Sequence, residues 1–129
     1  MRKYKVLLVD DEPDIIEFLS YNFAKYGFEV TTASDGEQGL EQAAASRPDV
    51  IVSDILMPKL SGVKMCEKMK QQEALRNVPF IFLSATPDDL VALTALDAGG
   101  DKFMSKPVRL PVLFDAVERL LERYSFRHY

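Results

Sequence analysis

The 129-residue chain has one cysteine, one histidine and no tryptophan. A lone Cys66 cannot form an internal disulfide, so no disulfide framework defines the fold. Its neighbours on a helical segment are apolar, which reads as a buried, inert thiol in a reducing compartment. His128, beside the C-terminus, has nothing near it in sequence to orient it, and no catalytic role is assigned to it. Long apolar runs are missing as well. Nothing approaches the ~18 residues of a spanning helix. After Arg2 and Lys3 the run from Val6 to Val9 is cut by Asp10 and Asp11, which argues against a signal peptide. A cytoplasmic location without membrane contact is therefore expected. There is no basic surplus either: 16 Lys and Arg against 20 Asp and Glu leave a net charge of −4. With no basic run to neutralise several phosphates, direct nucleic-acid binding by this chain is not expected.

What is present suits one globular domain spanning 1–129, with a structured core of about 4–124 and a tail at 125–129. The composition is 47% apolar and 28% charged, ordinary for such a domain. A chain of this length folds to a radius of gyration of about 14 Å and buries roughly two-thirds of its unfolded surface, so its core forms without metal or disulfide staples.

Short apolar runs at Lys5 to Val9, Glu29 to Ala33, Val50 to Ser53, Phe80 to Leu83 and Lys102 to Met104 are too short for helices and read as strands. Helical period separates and follows them. Ile15, Leu19, Phe23 and Tyr26 share one face, and Leu113, Val117, Leu120, Leu121 and Tyr124 another. The third helix rests on Val63, Cys66 and Met69, the second on Leu40, Ala43 and Ala44, and the fourth runs from about Pro87 to Ala98. Ser34-Asp-Gly-Glu37 and Thr86-Pro-Asp-Asp89 fit capping boxes. Gly27 closes the first helix, and Gly99 and Gly100 the fourth. The third and fourth strands are apolar on both faces, as central parallel strands are. Repeated βα units with right-handed crossovers give an α/β, doubly wound, five-stranded parallel sheet with helices on both faces, whose ligand site lies beyond the strands' carboxyl ends.

Those ends carry chemistry. Asp10, Asp11 and Glu12 follow the first strand, Asp54 ends the third, Ser84 the fourth, and Lys106-Pro107 follows the fifth. Taken singly, Glu12 or Ser84 could equally be a helix cap. Taken together, the acids repel: each like-charge pair at ~4 Å costs on the order of 4 kcal/mol at an effective dielectric of 20. Lys106 and a hard divalent cation, Mg²⁺ above all, are the candidates to offset that repulsion. A metal beside Asp54, the Ser84 hydroxyl and the Lys106 ammonium would surround one phosphoryl group, and a carboxylate there can act as nucleophile.

The segments Val9-Asp-Asp-Glu-Pro13, Ser53-Asp-Ile-Leu-Met-Pro58 with Gly62, Leu83-Ser-Ala85 and Ser105-Lys-Pro107, in this order and spacing, resemble the receiver domain of two-component response regulators, including the chemotaxis regulators. The resemblance covers nearly the whole chain. It implies the flavodoxin-like strand order 2-1-3-4-5. It also implies that Asp54 is the phosphorylation site, accepting a phosphoryl group from a sensor histidine kinase or phosphotransfer protein. Asp11 and Asp54 would bind Mg²⁺ directly with the Leu56 carbonyl, and Asp10 through a water. Ser84 would donate to a phosphoryl oxygen and Lys106 would pair with the group, across a cis Lys106-Pro107 bond. Ser84 and Phe103 would form the switch, with Phe103 also readable as plain core and Ser84 standing where Thr is commoner. Leu56 and Thr86 occupy positions that influence acyl-phosphate lifetime. The chain would then be a signalling phosphoacceptor that assists its own phosphorylation and dephosphorylation, not an enzyme acting on other substrates.

Other readings fit less well. A flavodoxin-type cofactor protein needs a hydroxyl- and glycine-rich loop where three acids stand here. A haloacid-dehalogenase-type phosphatase needs a second Asp two residues after the nucleophile, where Leu56 stands. A phosphorylation-independent docking module on the same fold is the runner-up, although such modules usually lack an acid or the lysine. In the fourth helix Leu90, Val91, Leu93 and Leu96 spread over more than one face. The favoured reading is a well-packed helix. The competing one is an effector surface or a homodimer through the fourth and fifth helices. No output domain follows before Tyr129, which fits either a free-standing receiver or the first domain of a longer regulator.

Overall fold

The structure, a computed structural model, describes residues 3–85 and 89–127, without the side chains of 89, 90 and 125–127. Thr86, Pro87, His128 and the Leu90 side chain therefore lie outside the described residues. Along the chain run β1 (Lys5–Val9), α1 (Pro13–Lys25), β2 (Glu29–Ala33), α2 (Gly36–Ser46), β3 (Val50–Asp54), α3 (Gly62–Lys70), β4 (Phe80–Ser84), α4 (Asp89–Asp97), β5 (Lys102–Ser105) and α5 (Leu110–Arg127). All strand pairs are parallel, in the order β2-β1-β3-β4-β5. The strands begin where the apolar runs do. β3, β4 and β5 each run one residue further, taking in Asp54, Ser84 and Ser105, because a polar side chain at a strand end does not stop backbone pairing.

Alternation along β1 divides the core into two layers. Val6 and Leu8 face α1 and α5 with Leu19, Phe23, Leu113 and Val117. Leu7 and Val9 face the opposite layer with Ala43, Met65, Cys66, Met69 and Phe82. β3 and β4 are buried along their whole length, as expected of the sheet's centre. Phe23, Phe80 and Phe82 are fully buried, each contributing about 2–3 kcal/mol of hydrophobic stabilisation. Gly27 and Gly99 take positive φ just beyond α1 and α4, as their placement suggested.

Four local expectations are corrected. The N-cap of α2 is Asp35, whose carboxylate accepts from the Gln38 N–H at 2.9 Å, while the Gln38 side chain turns back to Ser34. Ser34 and Asp35 both suit a cap, and packing of Gly36 selects the later one. Ala44 is exposed, and α2 meets the core through Gly36, Gly39 and Ala43, with Leu40 partly buried against it. α4 is not fully packed: Ala95 is buried, but Leu93 is 64% and Leu96 42% exposed. Tyr26 is exposed as well, though its ring stacks on Phe114 with centroids 4.3 Å apart.

Candidate functional site

β1 and β3 are neighbours that leave the sheet toward helices on opposite faces, so a crevice opens above their carboxyl ends. The register pairs Val9 with Ser53. The next residues, Asp10 and Asp54, therefore stand side by side. One carboxylate oxygen from each of Asp10, Asp11, Glu12 and Asp54 lies within 4.8 Å of the others. Asp10 and Asp54 are buried, while Asp11 and Glu12 face solvent.

Local hydrogen bonds fix the two buried acids. Asp10 accepts from the Glu12 N–H at 2.9 Å, and Asp54 from the Ile55 N–H at 2.8 Å. Glu12 occupies the N-cap of α1, but its side chain does not cap the helix. Lys106 supplies the ammonium, 3.0 Å from Asp10, 3.4 Å from Asp54 and 3.5 Å from Glu12. The Lys106 N–H donates to the Ser84 carbonyl at 2.7 Å, so β4 holds the lysine's backbone, and the Lys106-Pro107 bond is cis.

Behind Asp54 the chain turns tightly. The Gly62 N–H donates to the Ile55 carbonyl at 2.8 Å, and a Cβ on Gly62 would stand 2.1 Å from the Asp54 carbonyl oxygen. Only glycine lets α3 start so close to the end of β3. Leu56, on this loop, is 70% exposed, and Ser84 is buried at the end of β4. Phe103 lies within β5, partly buried against the α2–α4 layer. It also lines a cavity of about 340 Å³ with Met104, Pro107 and Arg109.

The electrostatics are lopsided, with four carboxylates facing one ammonium. Burial and then the charge of Asp10 raise the Asp54 carboxyl above its ordinary range, against the opposing pull of Lys106 and the Ile55 N–H. Burial alone would lower Lys106. Its hydrogen bond to Asp10 and the charges of Asp10, Asp54 and Glu12 outweigh that and keep it charged. An acidic pocket of oxygen donors carrying excess negative charge fits a hard divalent cation, and this cluster could hold one.

Asp10, Asp54, Glu12 and Lys106 are thus brought into direct contact, Asp11 joins their rim, and Phe103 lies apart from them along β5. Glu12 was not among the metal-binding candidates, although its place next to Asp11 signalled it. The backbone donors of Glu12 and Ile55 were invisible to sequence reading, which registers side chains only.

The response regulator receiver domain family model matches residues 6–118, and the chain belongs to that family. The alkaline phosphatase synthesis transcriptional regulatory protein PhoP of Bacillus subtilis is 37% identical over 119 residues, covering 92% of this chain and 49% of that protein. The chain spans about half the length of the curated relatives it matches first. Among solved structures, chemotaxis protein CheY4 of Vibrio cholerae superposes with a TM-score of 0.87 at 28% identity, covering 92% of this chain and 99% of that one. The receiver domain of a sensor histidine kinase from Pseudomonas aeruginosa, solved with a magnesium ion coordinated in its active-site cleft, gives 0.87 at 28% identity, covering 94% and 99%. No helix among the described residues is long and apolar enough to cross a membrane.

Proposed function

We propose that this receiver domain is a Mg²⁺-dependent phosphoacceptor in which Asp54 takes a phosphoryl group from the phosphohistidine of a sensor kinase or phosphotransfer protein. The observation that carries this is the Asp54 carboxylate itself. One oxygen is held by the Ile55 N–H, and the other lies 3.4 Å from the Lys106 ammonium at the mouth of an acidic crevice. The free lone pairs of that second oxygen attack phosphorus as the P–N bond to the donor imidazole breaks, and the bonding electron pair returns to the ring nitrogen. Asp11 and Asp54, with the Leu56 carbonyl, would hold Mg²⁺, and Asp10 would reach it through a water. The ion would supply positive charge against the phosphoryl oxygens. Lys106 neutralises a further oxygen, and the Ser84 hydroxyl donates to another. The same groups assist later hydrolysis of the acyl phosphate, so the chain is a signalling phosphoacceptor and not an enzyme with a separate substrate.

Switching follows from differential contact. Ser84 and Lys106 bind the phosphoryl group better in one arrangement of the chain at Ser84, and Phe103 moves with it, which changes affinity on the distal face. The exposed Leu93, Leu96 and Val112 of α4 and α5 support an effector, output-domain or homodimer contact there. Residues 1–129 act as one receiver unit with its core at 4–124, in the cytoplasm, without contacting nucleic acid or membrane.

The test is intact mass after incubation with acetyl phosphate and Mg²⁺, beside Asp54→Asn and an EDTA control. One added phosphoryl group, seen only in the metal-containing wild type, is expected. No addition with any donor would leave a phosphorylation-independent docking module.

A further inference from the structure

The β2–α2 turn contributes no acid to the cluster, yet it is bonded to both loops that do. On one side the Ala33 carbonyl accepts from the Asp10 N–H at 3.1 Å. On the other the Gly36 N–H donates to the Leu60 carbonyl at 3.2 Å, in the loop that leaves Asp54 and carries Leu56. That loop has little slack. It closes on itself through the Leu60 N–H to the Pro58 carbonyl at 2.7 Å and the Gly62 N–H to the Ile55 carbonyl at 2.8 Å. Lys59, with φ at 67°, brings its ammonium 3.8 Å from the Asp35 carboxylate on the same turn.

We propose that the turn at residues 33–36 is a brace that sets the spacing between Asp10 and the Asp54–Leu56 loop, with Gly36 as its positioning residue. The proposal rests on the reading of these acids as a Mg²⁺ site. Contact through a bare Cα is what makes Gly36 irreplaceable. A Cβ there would stand 2.3 Å from the Leu60 oxygen and 2.8 Å from its Cβ, so the loop backbone itself must give way. Gly39, one turn further along α2, provides the internal control. Its Cβ would meet the Met65 sulfur at 2.3 Å, the movable part of a flexible side chain, and the Val9 methyls only at 3.4 and 3.5 Å, ordinary van der Waals contact, with no backbone atom of the acidic loops among these neighbours. Both substitutions disturb packing, but only the first moves oxygen ligands. Backbone partners lying just outside a metal's ligand shell govern affinity because they fix where the ligands stand.

Wild type, Gly36→Ala and Gly39→Ala are titrated with Mg²⁺ by calorimetry, with metal-free stability measured in urea alongside. Both variants are expected to lose stability, and Gly36→Ala alone to lose Mg²⁺ affinity, by about tenfold. Equal affinities in the two variants overturn the proposal. Amide exchange in the wild type tests it without any substitution. Saturating Mg²⁺ should slow exchange at the Gly36 and Asp10 amides together, and leave the Arg47 amide, bonded to Ala43 at the far end of α2, unchanged. A Gly36 amide indifferent to Mg²⁺ overturns the brace. A wild type that binds no Mg²⁺ overturns the metal-site reading itself, and the brace with it.

Discussion

Asp54 and Cys66 are both buried weak acids, and loss of water pushes both toward the protonated form. Their surroundings separate them. Asp54 stands at the carboxyl edge of the sheet, within reach of three other carboxylates and an ammonium. Cys66 lies on α3 in the layer beneath, among Met65, Met69 and Phe82, and its S–H donates to the Ala98 carbonyl at 3.6 Å. Desolvation alone makes a group inert. Desolvation beside fixed countercharges and an open crevice makes it a candidate for chemistry. The molecule thus keeps two buried environments within one fold, and substitutions can exchange or equalise them.

The largest effect is expected from carrying the edge's chemistry into the layer. Cys66→Asp buries a carboxyl among Met65, Met69 and Phe82, where Lys70 acts on it but Glu67 and Asp101 oppose it, and should destabilise the fold by more than about 4 kcal/mol. Urea denaturation, or failure to obtain soluble protein, reads this out. A variant within about 1 kcal/mol of wild type would mean that the layer is wetter than its packing implies.

Next comes removal of the edge's countercharge. The Lys106 side chain is 10% exposed and reaches Asp10, Glu12 and Asp54. Lys106→Met should destabilise the metal-free protein by about 3 kcal/mol at neutral pH, because buried carboxylates lose their partner. Asp54, whose carboxyl burial already raises, takes up its proton as the pH falls, so the deficit should shrink on acidification, and added Mg²⁺ should also reduce it. A deficit that persists under both conditions would assign the loss to packing.

Asp54→Asn acts on the same balance with the opposite sign. A carboxyl whose folded pKa lies above its unfolded value binds its proton more tightly in the native state. Its contribution to stability is present below the unfolded value and is lost as pH rises through the folded one. At neutral pH the ionised Asp54 therefore burdens the metal-free fold. Its removal should raise the unfolding free energy measured in urea by about 1 kcal/mol after solvent screening of one like-charge contact. The same variant should lose Mg²⁺-induced stabilisation, since only ligands bound to the native state shift unfolding.

Much of this contrast was legible in the residues. Strand starts followed from apolar runs bounded by turn residues, and the positions of Asp10, Asp54, Ser84 and Lys106 followed from the rule that such sheets bind ligands at strand ends. What stayed hidden depends on pairs distant in sequence. Ser34 and Asp35 are equally good caps until Gly36 meets Leu60. Ala44 is as apolar as Ala43, and only the facing of α2 leaves it exposed. Leu93 and Leu96 would be core in a helix flanked on both sides, but α4 has the sheet on one side only. Cys66 was correctly read as buried, since its helical neighbours Val63 and Met69 share its apolar face.

The smallest effect tests the quiet member of the pair. Burial raises the Cys66 thiol to about 12, against about 8.5 for a free cysteine. The folded value lies above the unfolded one, so the thiol's contribution is fully present below the unfolded value and is lost as pH rises from there toward the folded value. Unfolding curves of wild type and Cys66→Ala should differ by a constant up to about pH 8, after which wild type should lose ground by about 1 kcal/mol per pH unit. Alkylation by iodoacetamide at pH 8 should be slow in the native protein and fast in urea, because only the opened chain exposes a thiolate. Rapid native alkylation would mean that α3 opens locally and that the layer beneath the site does not shield its thiol.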